Sequence, residues 1–204
     1  MGRGQLDDRV EQALRAGTIK LLSADFIRMG FLMRMKPRAA LEKLEKEEGK
    51  RCFLPAYEAA DILAKGARAV CCLSYPWLTP MSPDPYGSML SHAKSFLRSR
   101  EGAHVQGLYW DWACVPQLPR TPEEQTVFTS AVSLMGELYA SPMGTCVLRQ
   151  LHTPPRPEEL DGGRREALEC VATIPRLPSF GNASPLPSLV PLTACSLPPA
   201  PPQA

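Results

Sequence analysis

Apolar and charged positions recur at helical spacing through the first third of the chain. Val10, Leu14, Ile19, Leu22 and Phe26 fall three to five residues apart across residues 8–35, with Ile27 beside Phe26, the interval that stacks side chains on one helix face. Ser23 is placed to cap a second segment over residues 24–35, because its hydroxyl can accept from an unpaired first-turn amide. Pro37 opens RAALEKLEKEE and Gly49 closes it, while Pro55 opens AYEAADILAK and Gly66 closes it. A proline lacks the amide that a first turn leaves unpaired, and glycine accepts the left-handed conformation that ends a helix. Residues 1–65 are therefore expected as a helical N-terminal extension.

The pattern changes at Arg68. AVCCL at residues 69–73 is apolar throughout and breaks at Ser74-Tyr75-Pro76-Trp77, which predicts a strand buried on both faces. Residues 78–87 carry Pro80, Pro83 and Pro85 and are expected as loop. Met89, Ala93, Phe96 and Leu97 then form one apolar helix face ending near Arg100. Residues 104–112 predict a second strand. Thr121-Pro122-Glu123-Glu124 is a capping box ahead of a helix with Val127, Phe128, Ala131, Leu134, Met135 and Leu138 on one side, and TCVL at 145–148 predicts a third, short strand. Strand, helix, strand, helix, strand is the recipe for a parallel sheet with right-handed crossovers. The fold expected over residues 66–152 is thus α/β with a small parallel sheet, whose exposed edge needs a cover. The remainder, residues 153–204, reads as a proline-rich linker and disordered tail: from residue 173 it has one arginine and no acid, and it cannot build a core.

Charge and cysteine usage narrow the chemistry. Lys plus Arg is 23 against 21 for Asp plus Glu, a formal charge of +2, which gives no field to gather nucleic acid or an anionic membrane. No apolar run approaches the ~20 residues that span a bilayer, and MGRGQLDDRV lacks the apolar centre of a secretion leader. A cytoplasmic chain with neither nucleic acid nor membrane as partner is expected. The seven cysteines have no paired C-x-x-C spacing, so free thiols and no metal site are expected. Phosphate-cradling G-x-G-x-x-G and Walker-type motifs are absent. Cys114 has no histidine placed beside it by sequence, which leaves a thiol nucleophile without a base. Trp77, Trp110 and Trp112 come without interleaved Arg or Lys, unlike a base-stacking platform.

One carboxylate stands out. Asp111 lies between Trp110 and Trp112 at the end of the second predicted strand. A buried carboxylate is costly unless it is hydrogen-bonded or binds something. It either caps the turn that follows or faces a ligand at the carboxyl end of a parallel sheet, where ligands collect. Ser74 and Tyr75 end the first strand and would share that rim.

Leu73-Ser74-Tyr75-Pro76-Trp77, then Tyr109-Trp110-Asp111-Trp112-Ala113-Cys114-Val115-Pro116-Gln117, then Met135-Gly136-Glu137-Leu138-Tyr139 before a short strand resemble, in order and residue type, the motifs of the heterokaryon-incompatibility (HET) domain of fungal self-recognition proteins. The likeness spans residues 66–152 and is to a divergent relative: Trp110 adjoins Asp111 directly, and Leu78 replaces a glycine common in the family. HET domains in turn resemble TIR domains. The resemblance implies a flavodoxin-like, TIR-like three-layer fold and signalling in self-recognition or defence, by self-association or through a protein partner. It marks Ser74, Tyr75, Trp77, Asp111, Cys114 and Gln117 as candidate ligand-binding residues. Some TIR relatives cleave NAD with a helix-borne glutamate, so the alternative it implies is an NAD-cleaving or nucleotide-binding enzyme whose Ser74 and Asp111 hold ribose hydroxyls. Glu158, Glu159, Glu166 and Glu169 stand in no matching motif, and no catalytic residue is assigned. No cofactor is expected unless the chain is an enzyme, in which case it would be NAD.

Overall fold

The computed structural model describes residues 5–79, 81–141 and 144–150; the linker and tail expected from residue 153 lie outside them. Residues 5–64 run α1 (Gln5–Arg15), β1 (Leu22–Ser23), α2 (Ala24–Met29), α3 (Arg38–Glu48) and α4 (Ala56–Ala64). There follow β2 (Val70–Ser74), α5 (Ser88–Arg98), β3 (Gly107–Tyr109), α6 (Asp111–Cys114), α7 (Pro122–Ala140) and β4 (Thr145–Arg149).

The proline and glycine boundaries of α3 stand where the sequence puts them. Pro37 precedes it, and Gly49, at φ 64°, closes it with its amide on Glu45 O. Thr121 and Glu124 form the reciprocal capping box of α7. The segment over residues 24–35 is shorter than its periodicity implies. Ser23 does cap α2 by accepting from Phe26 N, but Gly30, at φ 80°, ends the helix after Met29, because only glycine enters the left-handed region without a Cβ penalty.

The sheet is mixed rather than wholly parallel, with four strands in the order β1-β3-β2-β4. β2 pairs in parallel with β3 from Val70↔Gly107 to Cys72↔Tyr109, and with β4 from Val70↔Thr145 to Ser74↔Arg149. The fourth strand comes from the N-terminal segment: β1 runs antiparallel to β3, with Leu22 opposite Leu108. A two-residue strand is too short to register as alternation, and Leu22 had been absorbed into a helical period. It covers the edge of β3 that a three-stranded sheet would leave open.

With β2 between its two parallel neighbours, right-handed connections send α5 and α7 to opposite faces. The helices accordingly pack in two groups, α2 with α5 and α1 with α4 and α7. One apolar cluster runs from Val10 to Leu148, with Tyr109 and Trp110 the largest fully buried side chains. Each large side chain so buried contributes roughly 1.5–3 kcal/mol. Gly107 lets this packing close in tightly, since a Cβ there would lie 3.0 Å from Ile62 Cδ1 and 3.2 Å from both Leu21 Cδ1 and Leu54 Cδ1, and those side chains would have to give way.

β3 is shorter than the apolar run that predicts it. Before it, the Arg28 guanidinium takes the carbonyls of Leu97 (2.9 Å), Gly102 (3.1 Å), Ala103 (3.3 Å) and Val105 (2.8 Å), so several carbonyls ahead of the strand pair with a side chain instead of a strand. After it, Trp110 O accepts from Ala113 N and Cys114 N, which turns the chain into α6. Asp111 therefore begins a helical turn and is not part of the strand. Among the described residues, no helix is long and apolar enough to cross a membrane.

Candidate functional site

The carboxyl ends of β2 and β3 release Tyr75, Trp77, Trp110, Asp111 and Trp112 into one knot. Asp111 Oδ1 accepts from Trp112 N (2.7 Å) and from the Tyr75 hydroxyl (3.0 Å), and Oδ2 accepts from Trp77 Nε1 (3.0 Å). The Tyr75 oxygen is itself an acceptor, from Trp110 Nε1. A relay of donors thus ends on the carboxylate. The rings meet edge to face, Tyr75 on Trp110 at 5.4 Å between centroids and Trp77 on Trp112 at 5.6 Å, the arrangement that aromatic quadrupoles favour.

Electrostatics follow from burial. Withdrawal from water raises the pKa of Asp111, and the donors on Trp112, Tyr75 and Trp77 offset part of that rise. Tyr75 is pushed well above the usual phenol range, first by burial and then by the neighbouring Asp111 charge. Its proton stays on the hydroxyl, which holds it as a donor to the carboxylate.

The other candidate residues build the turn below. Gln117 Nε2 donates to Asp111 O and Val115 O, both at 3.1 Å. Cys114 is fully buried, its sulfur accepting from Trp110 N (3.2 Å) and reaching Leu108 O (3.6 Å). Burial pushes this thiol up to about 12, far from the thiolate a nucleophile needs. Cys114 O accepts from Arg38 Nη1 and Lys20 N, tying α6 to the N-terminal segment. Ser74 lies on the same rim, half-buried, and its carbonyl receives Gln150 N. The structure thus gathers Tyr75, Trp77 and Asp111 directly, puts Gln117 and Cys114 in the supporting turn, and leaves Ser74 in the β2–β4 ladder.

Beside the knot lies a feature that periodicity concealed. Phe31, Met33, Met35, Pro37, Met81 and Trp112 line a groove of about 460 Å³, with Arg34 and Lys36 also on its wall. Met33 is 86% exposed, Met81 68% and Phe31 56%. The signal for it was present in MGFLMRMKP: a glycine that stops a helix, then three apolar residues running into alternating basic and apolar ones up to a proline. Among the described residues no three His, Cys, Asp or Glu side chains gather to hold a metal ion. Comparison of the chain with protein-family models, curated proteins and solved structures returns no match.

Proposed function

We propose that this chain is an intracellular interaction module of the HET/TIR-like kind, acting by self-association through the groove beside the aromatic knot. The exposed apolar surface carries the reading. Monomeric proteins seldom leave a contiguous patch of large apolar side chains in water without a partner for it, and Met33, Met81 and Phe31 stand exposed on the wall of one groove, which Arg34 and Lys36 share. A surface bearing both knobs and a hole can be self-complementary, which a two-fold interface requires. Methionine suits such a face because its flexible thioether repacks against varied shapes. The flavodoxin-like reading is supported by strand order, since β2 lies between the next two parallel strands, as the first strand does in flavodoxin-like sheets.

Asp111 serves this module by aiming Trp77 and backing Trp112. The NAD-cleaving alternative would need the carboxylate for ribose hydroxyls, and both of its oxygens already accept from the chain's own donors. Sizing by sedimentation across a concentration range tests the proposal: a monomer–dimer equilibrium abolished by Met33→Asp is expected. Incubation with NAD, assayed for free nicotinamide, distinguishes the alternative. Turnover that disappears in Asp111→Ala with the fold intact would favour the enzyme.

A further inference from the structure

Cys71 and Cys146 are direct register partners across the β2–β4 pairing. Neighbouring strands lie roughly 4.8 Å apart, inside the window of about 4.4–6.8 Å between Cα atoms that a disulfide spans. Both side chains leave the same face. The Thr145 hydroxyl donates to Leu138 O of α7 at 3.0 Å, and the Cys72 sulfur reaches the same oxygen at 4.0 Å. Alternation along each strand therefore turns Cys71 and Cys146 together toward the opposite layer.

Their surroundings differ. Cys52, Cys71, Cys72 and Cys114 are buried free thiols, whereas Cys146 is only half-buried. The neighbouring Cys71 side chain is the first cause holding Cys146 below the ordinary thiol range, and the Arg68 charge adds to it. The neighbouring Cys146 and burial hold Cys71 well above that range. Arg68 is exposed at the foot of β2 with φ 52°, a conformation uncommon outside glycine. A half-buried thiol drawn below the ordinary range, facing a fully buried partner in register, has the asymmetry of an attacking and a resolving cysteine.

We propose that Cys146 is a peroxide-sensitive thiol and that Cys71 resolves its sulfenic acid into a disulfide joining β2 to β4. The Cys146 thiolate attacks one oxygen of hydrogen peroxide; the O–O bond breaks, sulfur loses two electrons, and the departing hydroxide takes a proton to become water. The Cys71 sulfur then attacks the sulfenic sulfur. As the S–O bond breaks, the hydroxyl leaves as a second water with the Cys71 proton, and a small dithiol reverses the bridge. This device is independent of the self-association reading.

The test treats the full chain with hydrogen peroxide, blocks the remaining thiols with an alkylating agent, and maps disulfides by peptide mass spectrometry. The expected product is a Cys71–Cys146 linked peptide and about two fewer free thiols per chain. Cys71→Ala should stop Cys146 at the sulfenic acid, trapped by a 1,3-dione probe. The same treatment in urea should lose the selectivity. Oxidation that spares Cys146, that links it to Cys170 or Cys195 instead, or that keeps the same pattern in urea would overturn the proposal. Mapping the unsubstituted chain decides the matter even if Cys71→Ala fails to fold.

Discussion

The aromatic knot and the methionine groove lie side by side and share Trp112, yet they differ in chemistry. The knot contains the residues that look like chemistry: a carboxylate, a tyrosine, indole donors and a cysteine. Its carboxylate, its phenol and the indole N–H groups of Trp77 and Trp110 nevertheless bond inside the chain, and Asp111 is held by three donors. In the groove, Phe31, Met33 and Met81 carry no such group and are left in water, while Met35 and Trp112 on the same wall are buried. A conspicuous polar residue in an apolar stretch thus marks where the fold needed an acceptor, whereas the surface available for binding is built from ordinary hydrophobes whose packing ran out.

That contrast can be broken from either side. The largest effect belongs to Trp110, which is fully buried and whose Nε1 donates to Tyr75. Trp110→Ala should destabilise the chain by about 3–5 kcal/mol in urea unfolding. A loss near zero would mean that the knot does not organise the rim.

Asp111→Ala comes next. It strands the Tyr75 hydroxyl, the Trp77 indole and the Trp112 amide, at a cost of about 1–3 kcal/mol, and it frees Trp77. Collisional quenching of tryptophan fluorescence should rise in the folded variant. Unchanged quenching would mean that the indole is held by packing rather than by the carboxylate.

A smaller effect appears in pH dependence. Burial raises the Asp111 pKa above its ordinary 3.8, so between that value and the folded one the native state binds more protons than the unfolded state. Stability contributed by this group is full below the ordinary value and declines as pH rises through the folded value. Asp111→Asn should remove that decline, giving a flatter stability profile than the unsubstituted chain on the acidic side of neutrality. An equal slope in both proteins would place the carboxylate in water.

Much of the fold is legible because its signals are local. Pro37 with Gly49, the Thr121 capping box and the apolar run leading into Ser74 each act within a few residues, and each marks an element close to its observed boundary. Illegible features depend on distant partners. β1 exists because Leu108 and Phe53 lie on either side of Leu22, and β3 stops short because Arg28 reaches across from α2 to the carbonyls before it. Asp84, in the loop set aside as irregular, is buried and accepts from Ser88 Oγ and Leu90 N at the start of α5. The position of Asp111 at the rim was readable from the order of the segments. Its role was not, because Tyr75 and Trp77 lie 36 and 34 residues away, and sequence alone does not say which way their donors point.

Met33→Asp gives the smallest change in stability and the sharpest test. The side chain is 86% exposed, so its replacement should alter folding by no more than about 0.5 kcal/mol. Sedimentation velocity of the two proteins at matched concentrations measures self-association directly. A unsubstituted chain that moves toward dimer as concentration rises, beside a variant that stays monomeric and folded, is the predicted result. Two monomers up to the limit of solubility, or two proteins that associate alike, would contradict it.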